Sequence, residues 1–286
     1  MTPGELLYLS AELFLPRRCL ICERRISAGD ICSRCAPGPA RRNNSQCCMC
    51  CFSGGVDLDP GLICPTCRTF PPLFGKIRWL WEYRGKARAL INTMKYKPSP
   101  ALARAASSRL AAALPDFFPC SDNWDLIVPI PSSRKSFCQR TFNQCAIIAR
   151  TLARAVNRTS IFCPGALQHL GSRHPQASLP ARRRIGNVRR SFRADPRVVT
   201  GRRILLVDDV ITTGATSAAA ALALYRAGCA TVDLASLACC PAWSQHRAEV
   251  YHKLVLPGFD QAGAACSAPR PHKFQKLLFS WRQDRL

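Results

Sequence analysis

Apolar runs and runs with helical spacing alternate along the chain from residue 77 onward. Residues 204–207 are apolar at every position, as expected for a strand buried on both faces of a parallel sheet. Residues 125–128 predict a second such strand, ended by Pro129, and the aromatic and β-branched residues 77–83 predict a third. Helical spacing predicts helices over residues 86–95, 102–114 and 217–227, the second ending before Pro115 and the third closed by Gly228.

The length of 286 residues exceeds a usual single domain and allows one sizeable core plus a smaller module. The hydrophobic share of 48% argues against global disorder. No apolar run reaches the length of about 18 residues that a membrane span needs. Residues 1–19 lack the basic start, long apolar stretch and cleavage site of a secretory signal. We therefore predict a cytoplasmic protein with no membrane insertion.

Basic residues outnumber acidic ones by 41 to 17, and the excess is concentrated after residue 75. Residues 1–75 carry 8 Lys and Arg against 6 Asp and Glu, whereas residues 76–286 carry 33 against 11. A positive surface of this size favours polyanions: nucleic acid, phosphorylated metabolites or acidic lipid. The alternative is a biased genome, since Arg outnumbers Lys by 33 to 8.

Ten of the 18 cysteines lie before residue 68, in C-x-x-C pairs and one dense cluster. In a reducing cytoplasm such pairs indicate metal ligands, because one tight turn aims two thiolates at an ion and two turns complete a tetrahedron. We predict two structural Zn²⁺ sites of the four-cysteine type, without catalysis. The predicted ligands are Cys19, Cys22, Cys32, Cys35, Cys48, Cys51, Cys64 and Cys67.

Two features of these sites stay open. The pair Cys47/Cys50 fits the central cluster as well as Cys48/Cys51, which we favour, and the turns can combine sequentially or interleaved. A zinc ion of this kind supplies about 10–16 kcal/mol of apparent binding free energy to a module whose own core is small. The other eight cysteines are predicted to be small buried hydrophobes.

The most informative segment follows the apolar strand 204–207. Two adjacent acids, Asp208 and Asp209, are followed by a hydroxyl-rich turn at the start of a predicted helix. Free N–H groups and the helix dipole make such a turn an anion site, and Gly214 lets the backbone approach a phosphate. Paired carboxylates suit vicinal hydroxyls or Mg²⁺, so the segment predicts a ribose 5-phosphate site. The alternative is that these residues only cap a helix and a turn.

Residues 205–217, LLVDDVITTGATS, resemble the 5-phosphoribosyl-1-pyrophosphate (PRPP) motif of type I phosphoribosyltransferases. Together with the cysteine module, the chain resembles the ComF family, a double zinc ribbon joined to a phosphoribosyltransferase domain. The resemblance extends from about residue 14 to residue 238 and includes Tyr83-x-Gly85, Met94-Lys95-Tyr96, Val128-Pro129-Ile130-Pro131, Phe142-Asn143-Gln144, and Gln176 followed by Arg184, Asn187 and Phe192. It implies an α/β fold with a parallel sheet flanked by helices, and a bacterial protein of competence, DNA uptake and natural transformation.

The resemblance also implies a role for each matching residue. Asp208 and Asp209 would be the catalytic pair that holds the ribose 2′- and 3′-hydroxyls, with Mg²⁺ bound together with PRPP. The segment after Pro131 would be the pyrophosphate loop. The PRPP-binding residues would also include Val210, Thr212, Thr213, Gly214, Ala215, Thr216, Lys95, Arg134, Lys135 and Arg140.

The pyrophosphate segment departs from the family pattern of P-L-H, several Arg and R-G-F-N-Q. Ser133 stands at the usual His, Ser136 and Cys138 at usual Arg positions, and Thr141 at the usual Gly. The loss of two cations and a flexible Gly weakens pyrophosphate binding. Residues 173–203, with ten Arg and one acid, would be the hood over the site; a solvated basic loop and a nucleic-acid track are the alternatives.

Three hypotheses of function follow. The first is a phosphoribosyltransferase that transfers ribose 5-phosphate from PRPP to an unidentified nitrogen acceptor. The second is a non-catalytic PRPP or nucleotide sensor that handles single-stranded DNA, and the third is recruitment of a competence protein by the ribbons alone. We expect a zinc-ribbon module over residues 1–70, a phosphoribosyltransferase-like domain over 76–240 and an unassigned extension over 241–286.

Overall fold

The computed structural model describes residues 17–38, 46–54, 56–69, 72–97, 99–119, 124–171, 191–241 and 243. Within these ranges the strands are β1 (Ile77–Glu82), β2 (Leu126–Pro129), β3 (Leu167–His169), β4 (Phe192–Ala194), β5 (Arg203–Ile211) and β6 (Thr231–Cys239). The helices are α1 (Pro65–Thr69), α2 (Gly85–Tyr96), α3 (Pro100–Phe117), α4 (Arg134–Arg140), α5 (Gln144–Ala155), α6 (Pro196–Val199) and α7 (Ala215–Arg226).

Four strands form a parallel sheet in the order β1-β6-β5-β2, and β3 and β4 form a separate antiparallel pair. The two central strands are buried at almost every position, so both faces of the sheet are covered. Because the strands are parallel, their carboxyl ends lie at one edge, where open α/β sheets place their ligands. The predicted α/β class, a parallel sheet flanked by helices, is confirmed.

Helices pack on this sheet through small and apolar side chains. Helix α3 contacts α5, β1 and β6, while α5 lies against β2 and β5. Helix α7 packs against β5, β6 and the β3–β4 pair, and its buried residues are almost all Ala or Leu. Among the described helices, none combines the length and apolar character that would be needed to cross a bilayer.

Two predicted ends lie three or four residues from the observed ones. Strand β5 continues four residues beyond Val207, because its pairing with β6 continues through Asp208 opposite Ser236 to Ile211 opposite Cys239. Helix α3 does not stop before Pro115 but runs to Phe117. Leu114 and Phe117 are both buried in the core, and their burial offsets the hydrogen bond that proline removes.

Candidate functional site

Strand β5 places two acids at the carboxyl edge of the sheet, where Asp208 is 7% exposed and Asp209 8% exposed. Asp208 is held by donors from three elements. Its Oδ2 accepts a hydrogen bond from Ser217 Oγ on α7 at 2.8 Å, and its Oδ1 accepts one from the Asp209 backbone N–H at 2.9 Å. The Cys145 thiol on α5 lies 3.8 Å from the same Oδ1. The orientation of this carboxylate is therefore fixed before any ligand arrives.

The second acid has a cation as its neighbour. Lys95, in the last turn of α2, places Nζ 3.1 Å from Asp209 Oδ2, and the Lys95 side chain is only 18% exposed. Burial acts to lower the pKa of Lys95, but the charges of Asp209 and Asp208 outweigh burial and leave that pKa above its ordinary value. Lys95 is thus a charged ammonium group inside the acid pair's environment.

Burial also sets the protonation of the neighbouring groups. It raises the pKa of Asp208 to about 6, with the Asp209 charge adding to the effect and the Ser217 hydrogen bond and Lys95 opposing it. Burial and the two carboxylates raise the pKa of the Cys145 thiol well above its usual range. At neutral pH the acid pair therefore lies beside an ammonium group, Lys95, and a neutral thiol, Cys145.

The hydroxyl-rich turn, residues 212–216, directly follows strand β5, which contains the acid pair. The backbone of Gly214 is left-handed, with φ of 76°, and this residue, which directly precedes helix α7, makes no side-chain capping hydrogen bond. Thr212, Thr213 and Thr216 are exposed, and Thr213 Oγ1 accepts a long hydrogen bond of 3.4 Å from Ala215 N. Hydroxyls and helix N–H groups thus lie next to the acids, and the half-buried Val210 joins the two parts.

The segment after Pro131 differs from the expected open loop, because residues 134–140 form the short helix α4. Ser133 caps this helix, and its Oγ accepts a hydrogen bond from Ser136 N at 3.2 Å. Arg134 is exposed in the first turn, and the backbone of Lys135 follows it in the helix. A serine at the usual His and another at a usual Arg are thus used to begin a helix.

Arg140 connects this segment to the acid pair. Its guanidinium lies 3.4 Å from Gln144 Oε1, and Gln144 Nε2 lies 3.4 Å from the carbonyl of Met94, the residue before Lys95. The next residue, Thr141, takes a left-handed backbone with φ of 63°, although it is β-branched. The chain therefore keeps a glycine-like conformation at the position where the family usually has Gly, and the strain costs about 1–3 kcal/mol.

The predicted cysteines form two groups of four, in which all Sγ atoms of a group lie within 4.8 Å of one another. One group is Cys19, Cys22, Cys32 and Cys35, and the other is Cys48, Cys51, Cys64 and Cys67. The turns therefore combine sequentially, and the second group contains Cys48 and Cys51 rather than Cys47 and Cys50.

The donor set and its spacing fit zinc. Sulfur atoms bound to one tetrahedral zinc ion at about 2.3 Å are about 3.8 Å apart. The separations between Cys22 and Cys32 (3.7 Å), Cys48 and Cys67 (3.5 Å), and Cys51 and Cys64 (3.8 Å) are close to that value. Backbone N–H groups also point at sulfur, from Cys32 to Cys19 and from Cys64 to Cys48 at 3.3 Å each. Both groups could bind structural zinc.

Sequence reasoning missed two residues of the acid pair's environment. Ser217 lies inside the quoted motif but was assigned only to the helix, and Cys145 directly follows the Phe142-Asn143-Gln144 match. Neither type signals a partner for a carboxylate that is 63 residues away, as Asp208 is from Cys145. The basic stretch 172–190 and the tail 244–286 lie outside the described residues, so the hood and extension hypotheses stay predictions.

Comparison with known proteins gave relatives that match most of the chain. The DNA utilization protein YhgH of Escherichia coli (strain K12) is 29% identical, over 78% of this chain and 96% of that protein. The protein of the same name from Salmonella typhi is 28% identical with the same coverage. The resemblance to the ComF family is confirmed. No family model matches the chain.

Two solved structures match about half of the chain at low similarity. The allosteric regulatory enzyme of purine biosynthesis is 22% identical with a TM-score of 0.34. The glutamine PRPP amidotransferase from B. subtilis is 21% identical with a TM-score of 0.35. Each comparison covers 51% of this chain but only 30% of the solved chain.

Proposed function

We propose that the carboxyl edge of β5 binds the ribose 5-phosphate part of PRPP and transfers it to a nitrogen acceptor. One observation carries the proposal: a buried acid pair is joined within one turn of chain to a helix start at which the N-cap residue is Gly214 and the neighbouring threonine hydroxyls are exposed. Carboxylates accept hydrogen bonds from vicinal hydroxyls, and oriented N–H and O–H groups donate to a phosphate. The two halves of the site thus have complementary chemistry for the two ends of that sugar.

The roles of the acids differ in this proposal. Asp208 already accepts hydrogen bonds from Ser217 and the Asp209 backbone, so its carboxylate is rigid and has few lone pairs left. Among the described residues, the Asp209 carboxylate is held by an ion pair with Lys95. We therefore assign Asp209 the main contact with the ribose hydroxyls, and Lys95 a contact with a phosphate oxygen once the sugar has replaced it at Asp209.

In the reaction, the nitrogen lone pair forms a bond to C1′ while the bond from C1′ to the pyrophosphate oxygen breaks. The bonding electrons leave with pyrophosphate, and the extra proton on nitrogen passes to solvent. Positive charge develops on the ribose ring and negative charge on the leaving group. Asp208 and Asp209 stabilise the first, and Lys95 and Arg140 are the cations available for the second.

The predicted Mg²⁺ would share the acid pair with groups already there. Asp208 accepts hydrogen bonds at both oxygens and Asp209 is paired with Lys95, so the ion, like the sugar, would have to displace Lys95 to reach the oxygens of both acids.

Isothermal titration of PRPP into the full-length, zinc-loaded chain tests the proposal. We expect the parent to bind and Asp209→Asn to lose at least tenfold in affinity. Asp125→Asn is the matched control, because Asp125 also pairs with a cation, Arg203 at 3.4 Å, but at the opposite edge of the sheet. Absence of binding heat in the parent, with the chain folded, would remove the proposed function.

A second candidate is PRPP binding without turnover. It is favoured by α4, which replaces an open loop of N–H donors with a capped helix, and by the strained Thr141. Pyrophosphate release in the presence of ammonium and of free nucleobases distinguishes the two candidates. Binding without release from any of them supports the sensor, whereas release that Asp209→Asn abolishes supports the enzyme.

A DNA role is suggested by the name of the relatives and by the excess of basic residues after residue 75. Single-stranded DNA bound through its phosphates loses affinity steeply with salt, with a logarithmic slope of about −0.7 per neutralised phosphate. We expect such a slope for an oligonucleotide, reduced when Arg182, Arg183 and Arg184 are replaced by Gln. Affinity that is independent of salt would exclude this role.

A further inference from the structure

The hydroxyl-rich turn, residues 212–216, is the phosphate turn of the proposed site. A residue that follows strand β6 packs against this turn. Trp243 is 3% exposed, and its backbone N–H donates to the Cys240 carbonyl at 3.0 Å. Cys240 in turn donates its N–H to the carbonyl of Ile211 at 2.8 Å. Ile211 is the last residue of β5 and directly precedes Thr212, so two hydrogen bonds tie the start of the C-terminal extension to the start of the turn.

The indole ring lies against Gly214, the residue that directly precedes α7. A Cβ atom placed on Gly214 would lie 3.6 Å from Trp243 Cε3 and 3.8 Å from Cζ3. The Ile211 side chain closes the same side, with its Cγ2 3.9 Å from that position. The indole ring and Ile211 therefore pack together against this left-handed turn. Thr212, Thr213 and Thr216 remain exposed.

Preorganised donors bind an anion more tightly than donors that must be ordered on binding, because the entropy has been lost beforehand. We infer that Trp243 is a positioning residue for the phosphate turn, and that the chain after β6 is therefore part of the sugar-phosphate site. This inference rests on the proposed function. It gives the first residues of the extension a role that neither their sequence nor the family resemblance assigns.

Titration calorimetry with ribose 5-phosphate on the full-length, zinc-loaded chain tests the inference. We expect Trp243→Ala to weaken binding about tenfold and Trp243→Phe, which keeps a ring against Gly214, to stay within threefold of the parent. Trp124→Ala is the matched control. Trp124 is also buried, at 6% exposure, but its Nε1 donates to Asp233 at the opposite edge of the sheet. It should lower the melting temperature without changing the affinity.

Tryptophan emission gives a readout that a purely structural role would not change. Binding of ribose 5-phosphate should alter the emission of the parent and of Trp124→Phe, and the change should disappear in Trp243→Phe. The inference is overturned if Trp243→Ala binds as tightly as the parent, or if the emission change survives in Trp243→Phe. Absence of binding heat in the parent is a separate outcome, which removes the proposed function and this inference with it.

Discussion

The two cysteine clusters have the same four ligands and similar sulfur spacing but very different surroundings. In the second cluster all four cysteines are buried, and the adjacent backbone bonds to strand β1: Ile77 N donates to the Cys50 carbonyl at 2.9 Å, and Trp79 Nε1 to that of Cys51 at 3.4 Å. In the first cluster Cys22 is exposed and Cys32 and Cys35 are half-buried. Its contacts with the sheet region include Lys86 Nζ, at the surface, to the Ser33 carbonyl.

The difference shows that two metal sites with the same ligands can stabilise different amounts of the surrounding structure. Phe52 packs edge-on against Trp79 and Phe117, so the second cluster, strand β1 and helix α3 share one apolar core. The expected boundary near residue 70 therefore crosses a shared core. The first cluster is joined to the core through half-buried residues, Leu20, Ile21 and Ile31, and through a hydrogen bond from Trp81 Nε1 to the Gly38 carbonyl at 3.1 Å. We infer that the sheet depends on metal at the second cluster and tolerates its loss at the first.

The largest expected effect comes from removing one ligand of each cluster. Cys64→Ser should abolish the cooperative melting transition of the whole chain, because the zinc contribution of about 10–16 kcal/mol is comparable to the whole stability of an ordinary domain, about 5–15 kcal/mol. Cys32→Ser should also lose one zinc ion but keep the transition. Zinc content and thermal melting followed by circular dichroism measure both. Equal melting of the two variants would contradict the comparison.

Phe52→Gly tests the shared core without touching a ligand. The substitution removes the contacts with Trp79 and Phe117 and relieves the positive φ of 61°, so we expect a net loss of about 3 kcal/mol in the free energy of unfolding. Phe52→Leu keeps the strain and most of the apolar volume and should lose about 1 kcal/mol. Urea unfolding gives both values. Similar losses in the two variants would mean that Phe52 does not contribute through packing.

Much of this arrangement follows from local sequence. The spacing of the cysteines predicts the two clusters, and the apolar run followed by two acids predicts β5 and the turn that contains Gly214. What local sequence cannot supply is the set of partners that only the fold brings together. Nothing near Asp209 indicates that Lys95, 114 positions earlier, is its counter-ion, or that Ser217 and Cys145 hold Asp208.

The same limit explains the misplaced ends. Strand β5 extends beyond its apolar residues because it stays paired with β6 as far as Ile211. Helix α3 continues past Pro115 because the Phe117 side chain is buried in the core. The choice of Cys48 over Cys47 also depends on which thiol faces Cys64 and Cys67 after folding. Each outcome is decided by contacts between distant segments, which no window of sequence contains.

Arg78 connects the second cluster to the sheet through hydrogen bonds. This buried guanidinium donates to the carbonyls of Phe117 (3.1 Å), Met49 (3.0 Å) and Ile77 (2.9 Å), so it joins the second cluster to the sheet. Arg78→Met keeps much of the apolar volume but leaves buried carbonyls without this donor, and we expect a loss of about 2 kcal/mol in urea unfolding. Lys86→Met removes the exposed contact to the first cluster and should change stability by less than about 0.5 kcal/mol. A reversed ranking would contradict the difference in attachment.

The smallest effect has the opposite sign and concerns Glu23. Glu23 directly follows the first C-x-x-C turn, just as Phe52 directly follows the third. Its N–H donates to the Cys19 carbonyl at 2.8 Å, and its φ is 62°. Unlike Phe52, its side chain is exposed and makes only a 3.7 Å ion pair with Lys97, which is worth little in water. Glu23→Gly should therefore relieve backbone strain and stabilise the first cluster by about 1 kcal/mol. Chelator-driven zinc loss from that cluster should slow by about fivefold.

Glu23→Ala removes the same ion pair but keeps a Cβ atom in the left-handed region, so it should give no gain. Equal rates of zinc loss from the glycine and alanine variants would mean that the backbone at Glu23 is not strained. The two C-x-x-C turns would then differ in packing alone.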